Sequence, residues 1–149
     1  MKLTVYSRSA GRKAFIENAA LFFSRELNIN KLNFDLNVYS IRGLREKGSR
    51  GVAQIVSSKR GHKELAVYLD SRLDTDKLIS TFAHEMVHIK QMARGQYWSF
   101  VDDYGHPTRY WMGKEVDENY FDQPWEIEAW TKERLLSIKL ERIIYDFHV

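Results

Sequence analysis

The sequence predicts one α+β domain spanning residues 1–149, and three observations carry that prediction. Apolar residues recur at helical spacing in three separate stretches. Between the first two of them, shorter stretches alternate apolar and polar residues with the period of a strand. The composition, 44% hydrophobic and 29% charged without a long apolar run, is that of a soluble globular chain large enough to bury a core.

Residues 3–6 are a short candidate strand. Ser9 suits a helix N-cap, and Phe15, Ala19, Phe22, Phe23 and Leu27 follow on one helical face until Asn28 and Asn30 end it. Phe34, Leu36 and Val38 alternate with polar neighbours as a half-buried strand. Residues 42–50 read as a glycine- and charge-rich loop, Val52 to Ser57 as a second strand, 58–62 as a turn, and Glu64 to Asp70 as a third strand. The expectation is an N-terminal helix followed by a three-stranded meander, with residues 3–6 as a fourth strand if they join it. Asp74 or Thr75 caps the next helix, which runs to about Arg94 and stops at Gly95. Pro124 opens the last helix, periodic to about Ile144.

The absence of cysteine excludes disulfides, a thiol nucleophile and a cysteine zinc ribbon, and fits a reducing compartment. The N-terminus has no apolar signal core and no segment is long enough to span a membrane, so a cytoplasmic location is expected. A net charge of +3 permits acidic partners without requiring them. Between positions 42 and 63 lie Arg42, Arg45, Lys47, Arg50, Lys59, Arg60 and Lys63 against the single acid Glu46. These are either solvated hairpin ends or a patch for nucleic acid or an acidic peptide; no aromatic side chain interleaves them to stack on bases.

The stretch that points to chemistry is His84-Glu85-Met86-Val87-His88. Residues i and i+4 stand one above the other on a helix, so both imidazoles can reach one tetrahedral Zn²⁺. Glu85 points about 100° away, placed to take a proton from a water the metal acidifies. On a helical wheel the apolar stripe of Leu78, Ile79, Phe82, Met86, Ile89 and Ala93 lies opposite His84, His88 and Gln91. Both histidines therefore face away from the core, as ligands or as solvated side chains. Gln91 is a candidate to support a ligand.

A catalytic zinc needs a third protein ligand and one open position. The other histidines are His62, His106 and His148. The last helix offers a better source. Glu126 shares its small and apolar face with Ala129, Leu136, Ser137 and Leu140, where a carboxylate is costly without a partner. Glu128 falls among Lys132, Lys139 and Arg142 and suits an i, i+4 pair with Lys132. Glu126 is the leading candidate, and Glu128 and Glu133 are the others.

His-Glu-x-x-His followed by Pro124-Trp125-Glu126-Ile127-Glu128-Ala129 resembles the gluzincin metallopeptidases, in particular small bacterial and phage-encoded ones. The resemblance implies a zincin-like fold, zinc held by His84, His88 and Glu126, catalysis by Glu85, and a peptide or protein substrate held in extended form on an edge strand. That strand is Val52–Ser57 or Glu64–Asp70. Related peptidases often place Asp four residues after the ligand glutamate to orient a histidine. Trp130 stands there in this chain, and Asp122 and Gln91 are the candidates to replace it. SprT-like proteases are similar in size and charge, but use a third histidine. The competing expectation is a non-catalytic module of the same fold that binds nucleic acid or a protein through the basic loops 42–63.

Between the two helices the chain is rich in aromatic residues, from Tyr97 to Trp125, with a turn at 103–107 whose flanks can pair as a hairpin. It reads as a small satellite core, as a wall of the substrate cleft, or as both. Tyr104, His106, Arg109, Tyr110 and Tyr120 are its candidates to contact substrate or to stabilise an oxyanion.

Overall fold

The computed structural model describes residues 1–116 and 123–148. Strand β1 (Lys2–Tyr6) leads into helix α1 (Ala10–Glu26). The Ser9 hydroxyl accepts from the Arg12 N–H at 3.2 Å, as its capping role requires. The chain leaves the helix through Asn28 in the left-handed conformation (φ 58°), which asparagine tolerates. Strands β2 (Phe34–Ile41), β3 (Gly51–Lys59) and β4 (His62–Asp70) follow. Helix α2 (Thr75–Ala93) is capped by Asp74, whose carboxylate accepts from the Lys77 N–H at 2.9 Å, and ends at Gly95 (φ 69°). Three short strands, β5 (Tyr97–Val101), β6 (Pro107–Trp111) and β7 (Lys114–Val116), precede helix α3 (Pro124–His148).

The first sheet has the order β1-β2-β4-β3 and is not a meander. β1 pairs parallel with β2, β2 parallel with β4, and β3 antiparallel with β4 at the edge. The physical reason lies in the side chains. Leu65, Ala66 and Val67 of β4 are consecutive and fully buried, which suits a strand covered on both faces. β3 keeps Gln54, Ser57 and Ser58 in reach of water by staying outermost. The N-terminal strand does join, making the sheet four-stranded.

Leu36, Val38, Leu65, Val67 and Leu69 project into the core against Phe23 of α1 and Phe82 and Met86 of α2. Phe23 and Phe82 meet edge to face, 5.6 Å between centroids. α3 adds Ala129, Leu136 and Leu140 from outside α2. On the sheet's other face Tyr6, Tyr39 and Tyr68 stack in one cross-strand row. The aromatic insert forms its own antiparallel sheet in the order β5-β6-β7, one strand more than the expected hairpin. Among the described residues no helix is long and apolar enough to cross a membrane.

Candidate metal centre

α2 and α3 cross antiparallel, because positions 84, 88 and 91 of α2 meet positions 133, 126 and 125 of α3 in turn. Ala129, fully buried, lies on the face of α3 that enters the core. The face of α2 that lies opposite its apolar stripe is thus not solvated. It is covered by α3, and His88 is only 9% exposed.

Three side chains converge there. His88 Nε2 lies 2.7 Å from Glu126 Oε1, and His84 Nε2 lies 3.3 Å from Glu126 Oε2. The two Nε2 atoms are 3.2 Å apart. Donor atoms of His84, His88 and Glu126 all lie within 4.8 Å of one another, a group able to hold a metal ion.

The far side of each ring shows that the group fits such an ion. Gln91, fully buried, accepts from His88 Nδ1 at 2.9 Å through its Oε1. Its orientation is fixed, because its amide nitrogen donates to the Trp125 carbonyl and to Glu128 Oε1, both at 2.9 Å. His84 Nδ1 donates to Glu133 Oε2 at 3.1 Å. With both Nδ1 atoms carrying the proton, the neutral rings turn their Nε2 lone pairs toward the Glu126 carboxylate. Electron-rich atoms so arranged need a cation between them. Without a metal, protons serve. Burial, the largest single influence, opposes charge on His84 and His88, but the hydrogen bonds to Glu126, the Gln91 bond at His88 and the surrounding carboxylates together outweigh it and raise both above the ordinary imidazole value. The same two hydrogen bonds hold Glu126 down at about 2.

Glu85 is 8% exposed beside the group. Burial pushes its carboxyl up, while His88, His84 and a hydrogen bond from the Ala53 N–H pull the other way. That contact brings the β3 edge to the site. It is possible because position 51 is glycine: a Cβ there would lie 2.7 Å from Thr81 Cγ2 and 3.2 Å from Glu85 Cγ. A cavity of about 310 Å³ opens between Gly51–Ala53, the two histidines, Glu85, Glu126 and the side chains of Met92, Tyr97 and Trp125.

The other candidate ligands take different places. Glu128 accepts from Lys90 at 2.7 Å, Lys132 at 2.8 Å and Gln91 at 2.9 Å, and so supports Gln91 from behind. Burial alone would raise its carboxyl, but these donors hold it at about 2. Glu133 meets His84 Nδ1 on the far side of the ring, and Trp130, at the position where the resemblance led one to expect an aspartate, is 60% exposed. Spacing carried a signal for Glu133: it lies two turns beyond Glu126 on the same face, and an antiparallel crossing sets it opposite His84, one turn before His88.

Of the substrate candidates, Tyr104 is 88% exposed at the turn, and His106 lies 3.8 Å from Asp102 on the same turn. Tyr110 stacks on Phe100, and Arg109 lines a neighbouring cavity. Tyr120 and Asp122 lie outside the described residues. Tyr97 and Trp125, from the aromatic stretch expected as a cleft wall, and Ala53, from the expected edge strand, line the site, together with Met92 and Gly51, which were not among the expected site residues. His62 pairs with Asp35 at 3.3 Å. In the basic stretch, Lys63 turns inward and donates to the Met92 and Ala93 carbonyls at the end of α2. No family model matches this chain, and no curated protein or solved structure matches it.

Proposed function

We propose that the chain is a zinc-dependent peptidase of zincin-like fold that hydrolyses peptide bonds. The observation that carries this reading is the convergence of His84, His88 and Glu126 beside a buried Glu85 at the edge of a sheet. Two imidazole nitrogens and one carboxylate oxygen are a donor set suited to zinc, and three protein ligands leave a position open. Zinc, when bound, supplies Lewis acidity toward water and toward the carbonyl of the scissile bond.

The chain's own residues do the rest. Glu85 takes a proton from the attacking water and delivers it to the departing amine nitrogen, so it begins and ends the cycle as carboxylate. Its burial and the Ala53 N–H hold it in one place between these transfers. Gln91 and Glu133 keep both Nδ1 atoms protonated and both Nε2 lone pairs facing inward. β3 is the strand at the sheet's edge, so the substrate backbone pairs with β3, while β4 is interior.

The test is metal analysis of the purified protein with a peptide-library digest. The expected result is close to one zinc per chain, cleavage by the parent protein, and a Glu85→Gln variant that keeps the zinc and loses cleavage. A parent protein that takes up no zinc, or a Glu85→Gln variant as active as its parent, would overturn the reading.

A further inference from the structure

The site cavity continues beyond Met92 and Tyr97. A second cavity of about 510 Å³ shares Ala53, Met92 and Tyr97 with it. One of its walls is β3 from Ala53 to Ile55. The opposite wall is β5, with all its residues from Tyr97 to Val101. Each of these strands is the last in its own sheet, β3 after β4 and β5 after β6. The groove therefore runs between two sheet edges, each with backbone groups that no neighbouring strand engages among the described residues.

Its side chains and its length narrow what it can hold. Ile55, Met92, Trp98, Phe100 and Pro107 give it an apolar side, next to the polar side chains of Gln54, Ser99 and Arg109, and Phe100 is 47% exposed. The β3 register shifts between Ile55 and Ser57. A shift of this kind bends a strand and breaks its edge. The usable edge from Ala53 to Ile55 spans about 10 Å of extended chain, the length of three residues.

We propose that this groove is a strand-capture slot. It takes about three residues of extended substrate on one side of the scissile bond, pairs them with β3 and β5 at once, and seats a bulky apolar side chain among Ile55, Met92, Trp98 and Phe100. An inserted strand bonds through alternate backbone groups to each neighbour, so two edges satisfy it on both sides. This rests on the peptidase reading and names its substrate class: unfolded polypeptide with an apolar segment, in preference to dipeptides or folded surfaces.

Binding tests the slot without turnover. Full-length Glu85→Gln protein is titrated with unstructured alanine–serine decapeptides carrying one phenylalanine, moved along the chain, and tryptophan fluorescence is followed, with Trp98→Phe as control. One phenylalanine position should bind about tenfold tighter than serine there, with the fluorescence response lost in the control. N-methylation of peptide amides beside that position should weaken binding about tenfold. Phe100→Asp, at an exposed side chain, should remove the gain while zinc content stays unchanged. Equal affinity for phenylalanine and serine at every position, indifference to N-methylation, or full binding by Phe100→Asp would each overturn the slot. The two readings fail separately. Slot binding with no cleavage by the parent protein would retire the peptidase and keep the slot. Cleavage unaffected by Phe100→Asp would do the reverse.

Discussion

Gln91 Oε1 lies 2.9 Å from His88 Nδ1, and nothing else on this amide is free to turn. Its nitrogen is spent on Trp125 and Glu128. A residue one turn beyond a ligand thus decides which nitrogen of the ring faces Glu126. Gln91→Leu removes the acceptor and takes one donor each from the Trp125 carbonyl and Glu128 Oε1. We expect zinc affinity to fall about 10- to 100-fold, measured by competition with a chelator. Stability should fall by about 1–3 kcal/mol in urea unfolding. Unchanged zinc affinity would mean that His88 is held by something else.

Glu133 does for His84 what Gln91 does for His88. Glu133→Ala should weaken zinc binding about tenfold or more, whereas Glu133→Gln keeps an acceptor oxygen and should bind nearly as the parent does. Equal losses in both variants would assign Glu133 a role through its charge.

Much of this site was legible in the sequence, and the boundary of that legibility has physical causes. His84, His88 and Glu126 stood on faces that local periodicity reveals, and they are found together. The division of labour between Glu126 and Glu128 followed from the same wheel, since Glu128 sits with Lys132. Gln91 and Glu133 were visible only as residues near the right face. Their roles depend on the antiparallel crossing of α2 and α3, which no local pattern encodes. The strand order failed for a related reason. β2 and β3 alternate in burial while β4 buries Leu65, Ala66 and Val67 in a row, and which strand lies inside depends on a tertiary choice between covering Ala66 and covering Gln54. Met92 reaches the cavity from the last turn of α2 and Tyr97 from the start of β5, positions that only the tertiary fold brings to the site.

Gly51 falls between the expected loop 42–50 and the expected strand from Val52, yet it sets the distance between β3 and α2. Gly51→Ala should destabilise the protein by about 1–3 kcal/mol, because the new methyl group would lie 2.7 Å from Thr81 Cγ2. Adding Thr81→Ser removes that methyl and should recover part of the loss in urea denaturation. No recovery would place the strain at Glu85 or at the Tyr68 carbonyl instead.

The carboxyl of Glu128 is held at about 2, burial opposing and Lys132, Lys90 and Gln91 prevailing. An unfolded glutamate titrates near about 4.3. The folded value is the lower one, so the contribution to stability is complete above about 4.3 and is lost as pH falls toward about 2. Glu128→Gln should therefore be less stable than the parent at pH 7, and the gap should close across that acidic window. A gap that stays constant down to pH 2 would show that the loss comes from packing rather than from charge.

The donor atoms of the metal group are split between two helices, and the chain from His88 to Glu126 includes the whole of the β5-β6-β7 sheet. An ion seated there is a cross-link that closes a loop, and the loop is the roof of the groove. Chelation should therefore loosen a region that touches the ion nowhere. Hydrogen exchange at Tyr97–Val101 should quicken on removal of zinc, while the interior strand β4 exchanges at its former rate. The ion would then act as a latch as well as a reagent, with the walls that grip the substrate firm only when the chemistry is armed.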